Sequence, residues 1–314
     1  MPSHFASGAH FASGAPFASG AHFASGLPML GLVPSWNPVA DVAQILSYSF
    51  MRQAYEAGTV VAIVAGVVGY FVVVRRASFA AHALSHVGFA GATGAVVIGI
   101  SPVAGLLAFS SVAGAVMGLL GRRLAERDTT IGIVMAWTLG LGVLFLSLYN
   151  GTATRAYALL FGQILGISPV DVLITVVAGA LVLVAVVVLY RPLGFASLEP
   201  DVAEAKGVPV RGLSVAFMVL LAAVVSVSVQ VVGVLLIFAL LVAPSAIAVR
   251  VASRPSRAIA MSVALALAFV WAGLAVAYYS PYPVSFFITT FAFGAYLLAR
   301  GVELLRWRNR HGRL

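Results

Sequence analysis

Nine runs of about 20 apolar residues fill most of this 314-residue chain, at 55–74, 77–100, 102–121, 130–149, 171–190, 212–229, 231–250, 258–279 and 283–305. A helix of that length crosses a hydrocarbon layer, and inside such a layer only helices or closed barrels satisfy every backbone N–H and C=O. The chain is 62% hydrophobic and 9% charged, too apolar for a soluble globule. The expected fold is an all-α polytopic membrane protein with about nine spans, eight to ten at the limits. The stretch Arg155 to Ile167 is apolar but too short to cross, so it reads as a re-entrant or interfacial segment that would raise the count to ten.

Charge sets the expected orientation. With the N-terminus outside, the inner loops and tail hold Arg75, Arg76, Arg122, Arg123, Arg127, Arg191, Lys206, Arg211, Arg250, Arg254, Arg257, Arg300, Arg306, Arg308, Arg310 and Arg313, and only Arg52 and Arg155 stay outside. Such a bias fits the positive-inside rule and an odd number of crossings, with a cytoplasmic C-terminus. The net charge of +9 therefore sits at the ends of apolar runs rather than on a soluble basic face, which argues against nucleic acid as a partner. The chain has no cysteine, so no disulfide or thiolate metal site is available.

The first residues form a repeat: HFASGA from His4, HFASGA from His10, PFASGA from Pro16 and HFASGL from His22. A Gly, Ala and Ser-rich unit cannot bury a core and is expected to be a flexible tail. It lacks the basic and continuous apolar regions of a signal peptide. Two readings stand for His4, His10 and His22: an external metal-collecting tail, or plain repeat expansion, since one His per repeat is sparse for a metal site. The expected organisation is a tail at 1–27, an extracytoplasmic lead-in at 28–52, a transmembrane domain at 53–306 and a basic cytoplasmic tail at 307–314.

Inside the second apolar run lies His-Ala-Leu-Ser-His, residues 82–86. At helical spacing His82 and His86 share one face, and from Arg76 they lie about 9 and 15 Å into the layer. A lone histidine at that depth more often packs against a neighbouring helix, whereas two on one face with Ser85 between them tip the reading toward a translocation path. Gly88, Ala90, Gly91, Ala92 and Gly94 follow, small residues that allow close approach. A zinc protease of the His-Glu-x-x-His type would need a general base directly after the first histidine, and that position is Ala83. The chain also lacks a Gly-x-x-x-x-Gly-Lys-Ser/Thr phosphate loop, so it does not hydrolyse ATP itself.

The sequence from Gly66 to Gly94 resembles the signature region of the permease subunits of metal-importing ABC transporters, the ABC-3 type family that serves zinc, manganese and sometimes iron. LFGQILGIS at 160–168, LEPDVAEAKGVPV at 198–210 and VVGVLLIFALLVAPSAIA at 231–248 extend the resemblance over about 50–305. The family reads Asp-Ala-Leu-Ser-His where this chain has His82 in place of Asp. His86 thus takes the family's place in the metal path directly, and His82 by replacement. An imidazole in place of a carboxylate leans toward zinc rather than manganese.

The resemblance further implies a separate cytoplasmic ABC ATPase, an extracytoplasmic metal-binding protein and a permease homodimer, with no cofactor held by this chain. It also gives the polar stretch Leu198 to Val210 the role of a coupling helix, with Glu199, Asp201, Ala203, Glu204 and Gly207 transmitting motion. The residues alone support a short helix there, started by Pro200 and stopped by Gly207. Pro244 in the later run marks a kink, from packing or as a hinge. Gly114 and Gly118 form a small-xxx-small pair that either joins two helices or is chance. A chelate or cobalamin-type permease and an ion-coupled secondary transporter are the rivals. The latter needs a carboxylate well inside the spans, which Glu56, Asp171 and Glu303 do not provide.

Overall fold

The computed structural model describes residues 38–120, 124–148, 162 and 164–311. The tail histidines His4, His10 and His22, and most of the segment expected to be re-entrant, lie outside the described residues. The described residues form helices α1 (Pro38–Ser47), α2 (Ser49–Val74), α3 (Ser78–Val97), α4 (Pro102–Leu120), α5 (Leu124–Leu148), α6 (Pro169–Leu198), α7 (Pro200–Ala205), α8 (Val210–Val251), α9 (Pro255–Tyr278) and α10 (Val284–His311), with a 3-10 turn at Ile164–Gly166. Seven of these helices are long and apolar enough to cross a membrane. The protein is an integral membrane protein.

Contacts between helices fix their directions. Gly66 lies against Val263 and Gly58 against Val270, so α2 and α9 are antiparallel. Gly88 and Gly91 of α3 meet Leu106 and Gly105 of α4, also antiparallel, whereas Gly132 and Gly142 of α5 meet Phe79 and Phe89 of α3, a parallel pair. In lipid no hydrophobic force pulls helices together, and close packing of small residues takes its place. The pair Gly114 and Gly118 joins helices: a Cβ on either would stand 2.8 Å from the backbone of Met218 or Val215 in α8.

The 42-residue α8 is two passes rather than one. Arg75 at the end of α2 bonds Ser214, which places the start of α8 at that end, and Ser226 bonds Leu106 on its way across. Leu241 and Ser245 lie against Gly69, and Ser245 pairs with Ser262 near the start of α9, so the last turns return to the Arg75 end. The reversal is at Gly233, whose φ of 82° and ψ of 163° break the helix. Gly162 packs against Val232 and Gly233 there. The sequence places this boundary at residue 230 and the kink at Pro244; the non-helical residue is Gly233 because only glycine takes that backbone freely.

α3 is absent from the seven because its 20 residues carry two histidines, two serines and a threonine. It nonetheless runs the length of the bundle. Counting α3 and both halves of α8, the described helices make nine end-to-end passes between the Arg75 end and its opposite.

Three tight turns share one hydrogen-bond pattern. Ala77, Ile100 and Val208 each donate back to the carbonyl five residues earlier, with the residue before each in a left-handed conformation. Gly99 and Gly207 take that place in two of them, as expected of such helix stops. In the turn from α2 to α3 the place is held by Arg76, at φ 52°.

Candidate functional site

α3 begins directly after that turn, and His82 and His86 occupy its second and third turns. The imidazoles meet edge to face, with centroids 4.7 Å apart and planes at 78°. Both are half-buried. Phe238 from the second half of α8 lays its ring on His82 at 4.9 Å, so the pair lies where α3 faces α8. Ser85, between them in sequence, is fully buried and donates to Ala81 O at 3.0 Å, which ties it to its own helix.

Nδ1 of His86 is buried and has no hydrogen-bond partner. A histidine that holds a resident metal almost always donates its second nitrogen to a carboxylate or carbonyl, which fixes ring and tautomer. Among the described residues no third His, Cys, Asp or Glu joins the pair to complete a metal-holding group. Two imidazoles with an orphaned nitrogen form a place where an ion can be held in part and released. They do not form a closed site, which takes four ligands for zinc.

Asp171, Glu303 and Glu56 stand apart from the pair. Asp171 forms a capping box with Ser168 at the start of α6: its amide donates to Ser168 Oγ at 3.2 Å, and its carboxylate accepts from the Ser168 hydroxyl at 2.7 Å. Glu303 accepts from Arg250 at 2.8 Å and Arg300 at 3.1 Å at the basic end, in exposed pairs worth little to stability. Glu56 is exposed near the opposite end.

The stretch 198–210 is a single short helix, α7, followed by the Gly207 stop. Ala203 is fully buried and packs with Ala196 and Leu213, fastening α7 to the ends of α6 and α8. Glu199, Asp201, Glu204 and Gly207 are exposed, as is Val202. Of the five positions singled out in the sequence, Ala203 is thus an anchor turned inward and the others form a free face. Phe238 went unmarked in the sequence because an aromatic in an apolar run carries no chemical signature.

A polytopic helical bundle with a half-buried imidazole pair and a small polar helix at one end is the build of a transport subunit. The chain matches the ABC 3 transport family over residues 47–302, and it belongs to that family. It is the membrane component of an ABC transporter, and ATP hydrolysis falls to a separate subunit.

Among relatives, it is 32% identical to the manganese transport system membrane protein MntC of Halalkalibacterium halodurans, over 67% of this chain and 73% of that one. It is 31% identical to the manganese import system permease protein ScaB of Streptococcus gordonii, over 74% and 83%. The solved structure of PsaBC from Streptococcus pneumoniae in complex with Fab superposes with a TM-score of 0.75 at 28% identity, covering 83% of this chain and 94% of that chain. An inward-facing putative metal-chelate type ABC transporter shares the fold, with a TM-score of 0.64 at 18% identity, over 85% and 90%.

Proposed function

We propose that this chain is the permease subunit of an ABC importer for a divalent transition metal, with zinc as the preferred ion, and that His82 and His86 are stations on its path. The observation that carries this is the imidazole pair itself: two rings 4.7 Å apart, no carboxylate grouped with them among the described residues, and a buried Nδ1 left without a partner. Neutral imidazoles suit zinc better than manganese, which favours oxygen ligands. Manganese is the second reading, supported by the names of the relatives from Halalkalibacterium and Streptococcus. A chelate-type cargo would need a wider path without ion ligands.

The nine passes of the bundle are nine membrane spans, with the Arg75 end cytoplasmic and the N-terminal segment outside. The clustering of basic residues at that end supports this orientation. The exposed face of α7 then meets the cytoplasmic ATPase, a metal-binding protein delivers the ion at the opposite face, and two copies of the permease form the conduit. ATP-driven closure of the ATPase pair would move α7 and switch the exposure of the histidines, an alternating-access cycle. The repeat tail with His4, His10 and His22 would collect ions outside when they are scarce.

Zinc uptake in cells carrying the complete transporter tests the path. His86→Ala and His82→Ala should abolish accumulation while membrane level and co-purification with the ATPase stay normal. Unchanged uptake in both variants would overturn it.

A further inference from the structure

Arg75 closes α2 and stands seven positions before His82. Its guanidinium reaches into neighbouring helices: Nη1 donates to Ser197 Oγ at 3.0 Å and Nη2 to Ser214 Oγ at 2.8 Å. The same group lies over the ring of Phe217, 5.1 Å from its centroid. Ser197 is in the last turn of α6, where its hydroxyl donates onward to Leu193 O; Ser214 and the fully buried Phe217 are in the first two turns of α8. These are the two helices that α7 joins. One side chain therefore grips both stems of α7.

The backbone of Arg75 is equally fixed on the side of the histidines. Its N–H donates to Phe71 O at 2.9 Å, Arg76 N–H to Val73 O at 3.1 Å, and Ala77 N–H to Val72 O at 2.8 Å, which locks the turn. Ala77 O in turn accepts from Ala81, one residue before His82. A positive-inside charge would explain Arg76, which is exposed. It does not explain an arginine half-buried and turned into the bundle. Two separate donors on a planar, stacking fork are what arginine supplies and lysine does not.

We infer that Arg75 is the coupling residue of this permease, tying displacement of the α6 and α8 stems of α7 to the first turns of α3 and so to His82 and His86. The inference rests on α7 being the surface that meets the ATPase. When the stems tilt, Ser197 and Ser214 move together, the fork follows them, and the locked turn passes the motion to α3. Arg75 acts through other groups and touches no ion, so it is a positioning residue.

The test uses the permease reconstituted in vesicles with its ATPase and delivery protein, comparing wild type, Arg75→Gln, Arg75→Lys and the double variant Ser197→Ala/Ser214→Ala. ATP hydrolysis and co-purification should persist, while zinc taken up per ATP hydrolysed falls about tenfold or more in Arg75→Gln and in the serine double, a typical size for lost coupling between sites. Arg75→Lys, which keeps the charge but not the fork, should fall in between. If Arg75→Gln fails to assemble, the serine double carries the same test with the arginine in place.

Because the chain lacks cysteine, Phe79→Cys supplies a reporter one turn before His82, at a position 38% exposed. Its reaction rate with a thiol reagent should change when ATP is added, and should stop changing once Arg75→Gln or the serine double is introduced. Uptake and hydrolysis falling in proportion, a reporter that still answers ATP, or unchanged uptake would each overturn the inference. The docking role of α7 fails separately, if Glu199→Ala/Asp201→Ala/Glu204→Ala leaves the ATPase bound; the ratio of zinc to ATP still judges Arg75.

Discussion

The ring of Phe238 meets the imidazole of His82 with centroids 4.9 Å apart and planes inclined at 65°. It covers one side of the imidazole pair with a group that offers no ligand. Phe238→Ala should therefore expose His82, and its modification by diethyl pyrocarbonate should speed up several-fold, with zinc protecting. An unchanged rate would show that the ring covers nothing the reagent needs.

His82 stands where the resembled family carries a carboxylate. His82→Asp restores an oxygen ligand and a negative charge at the same place on α3, which suits manganese. The ratio of manganese to zinc uptake should rise about tenfold, equivalent to about 1.4 kcal/mol of preference. Competition between the two ions for uptake measures it, and an unmoved ratio would mean that position 82 does not set the choice.

Gly91 of α3 packs tightly against α4. A Cβ there would stand 2.5 Å from Phe109 Cβ and press on the carbonyl of Gly105. Gly91→Val should destabilise the bundle by about 1–3 kcal/mol, the usual cost of overpacking. Gly140 has nothing within 4 Å of its Cβ position, so Gly140→Val is the matched control. Thermal unfolding in detergent should separate the two variants.

Arg76 holds a left-handed conformation at φ 52°, which costs an ordinary residue about 1–2 kcal/mol. The equivalent places in the other two turns are glycine. Arg76→Gly should raise the thermal midpoint while zinc uptake stays near wild type. A lowered midpoint would show that the arginine side chain contributes more than its backbone costs.

Much of the architecture could be read from the runs of apolar residues, because a membrane crossing leaves a signal about 20 residues long that no local turn imitates. The pair His82 and His86 was legible for the opposite reason: imidazoles stand out against an apolar background. The break in α8 was placed three residues early, at 230 instead of Gly233, since a reversal made by one glycine leaves no polar loop to mark it. Ala203 was marked in the sequence for transmitting motion; its burial against Ala196 and Leu213 could not be read there, since a six-residue helix is too short for a buried face to show as periodicity. Arg75 was counted among the charges at span ends; its grip on Ser197 and Ser214 depends on residues more than a hundred positions away, which no local pattern encodes.

The reversal at Gly233 is made without slack. Phe238 follows it by little more than one helical turn, so chain length between the bend and the cover over His82 is fixed to the residue. A single residue inserted at 234–237 would rotate Phe238 by about 100° around α8 and leave His82 facing a different neighbour. This stretch is a ruler, and its length is part of the site.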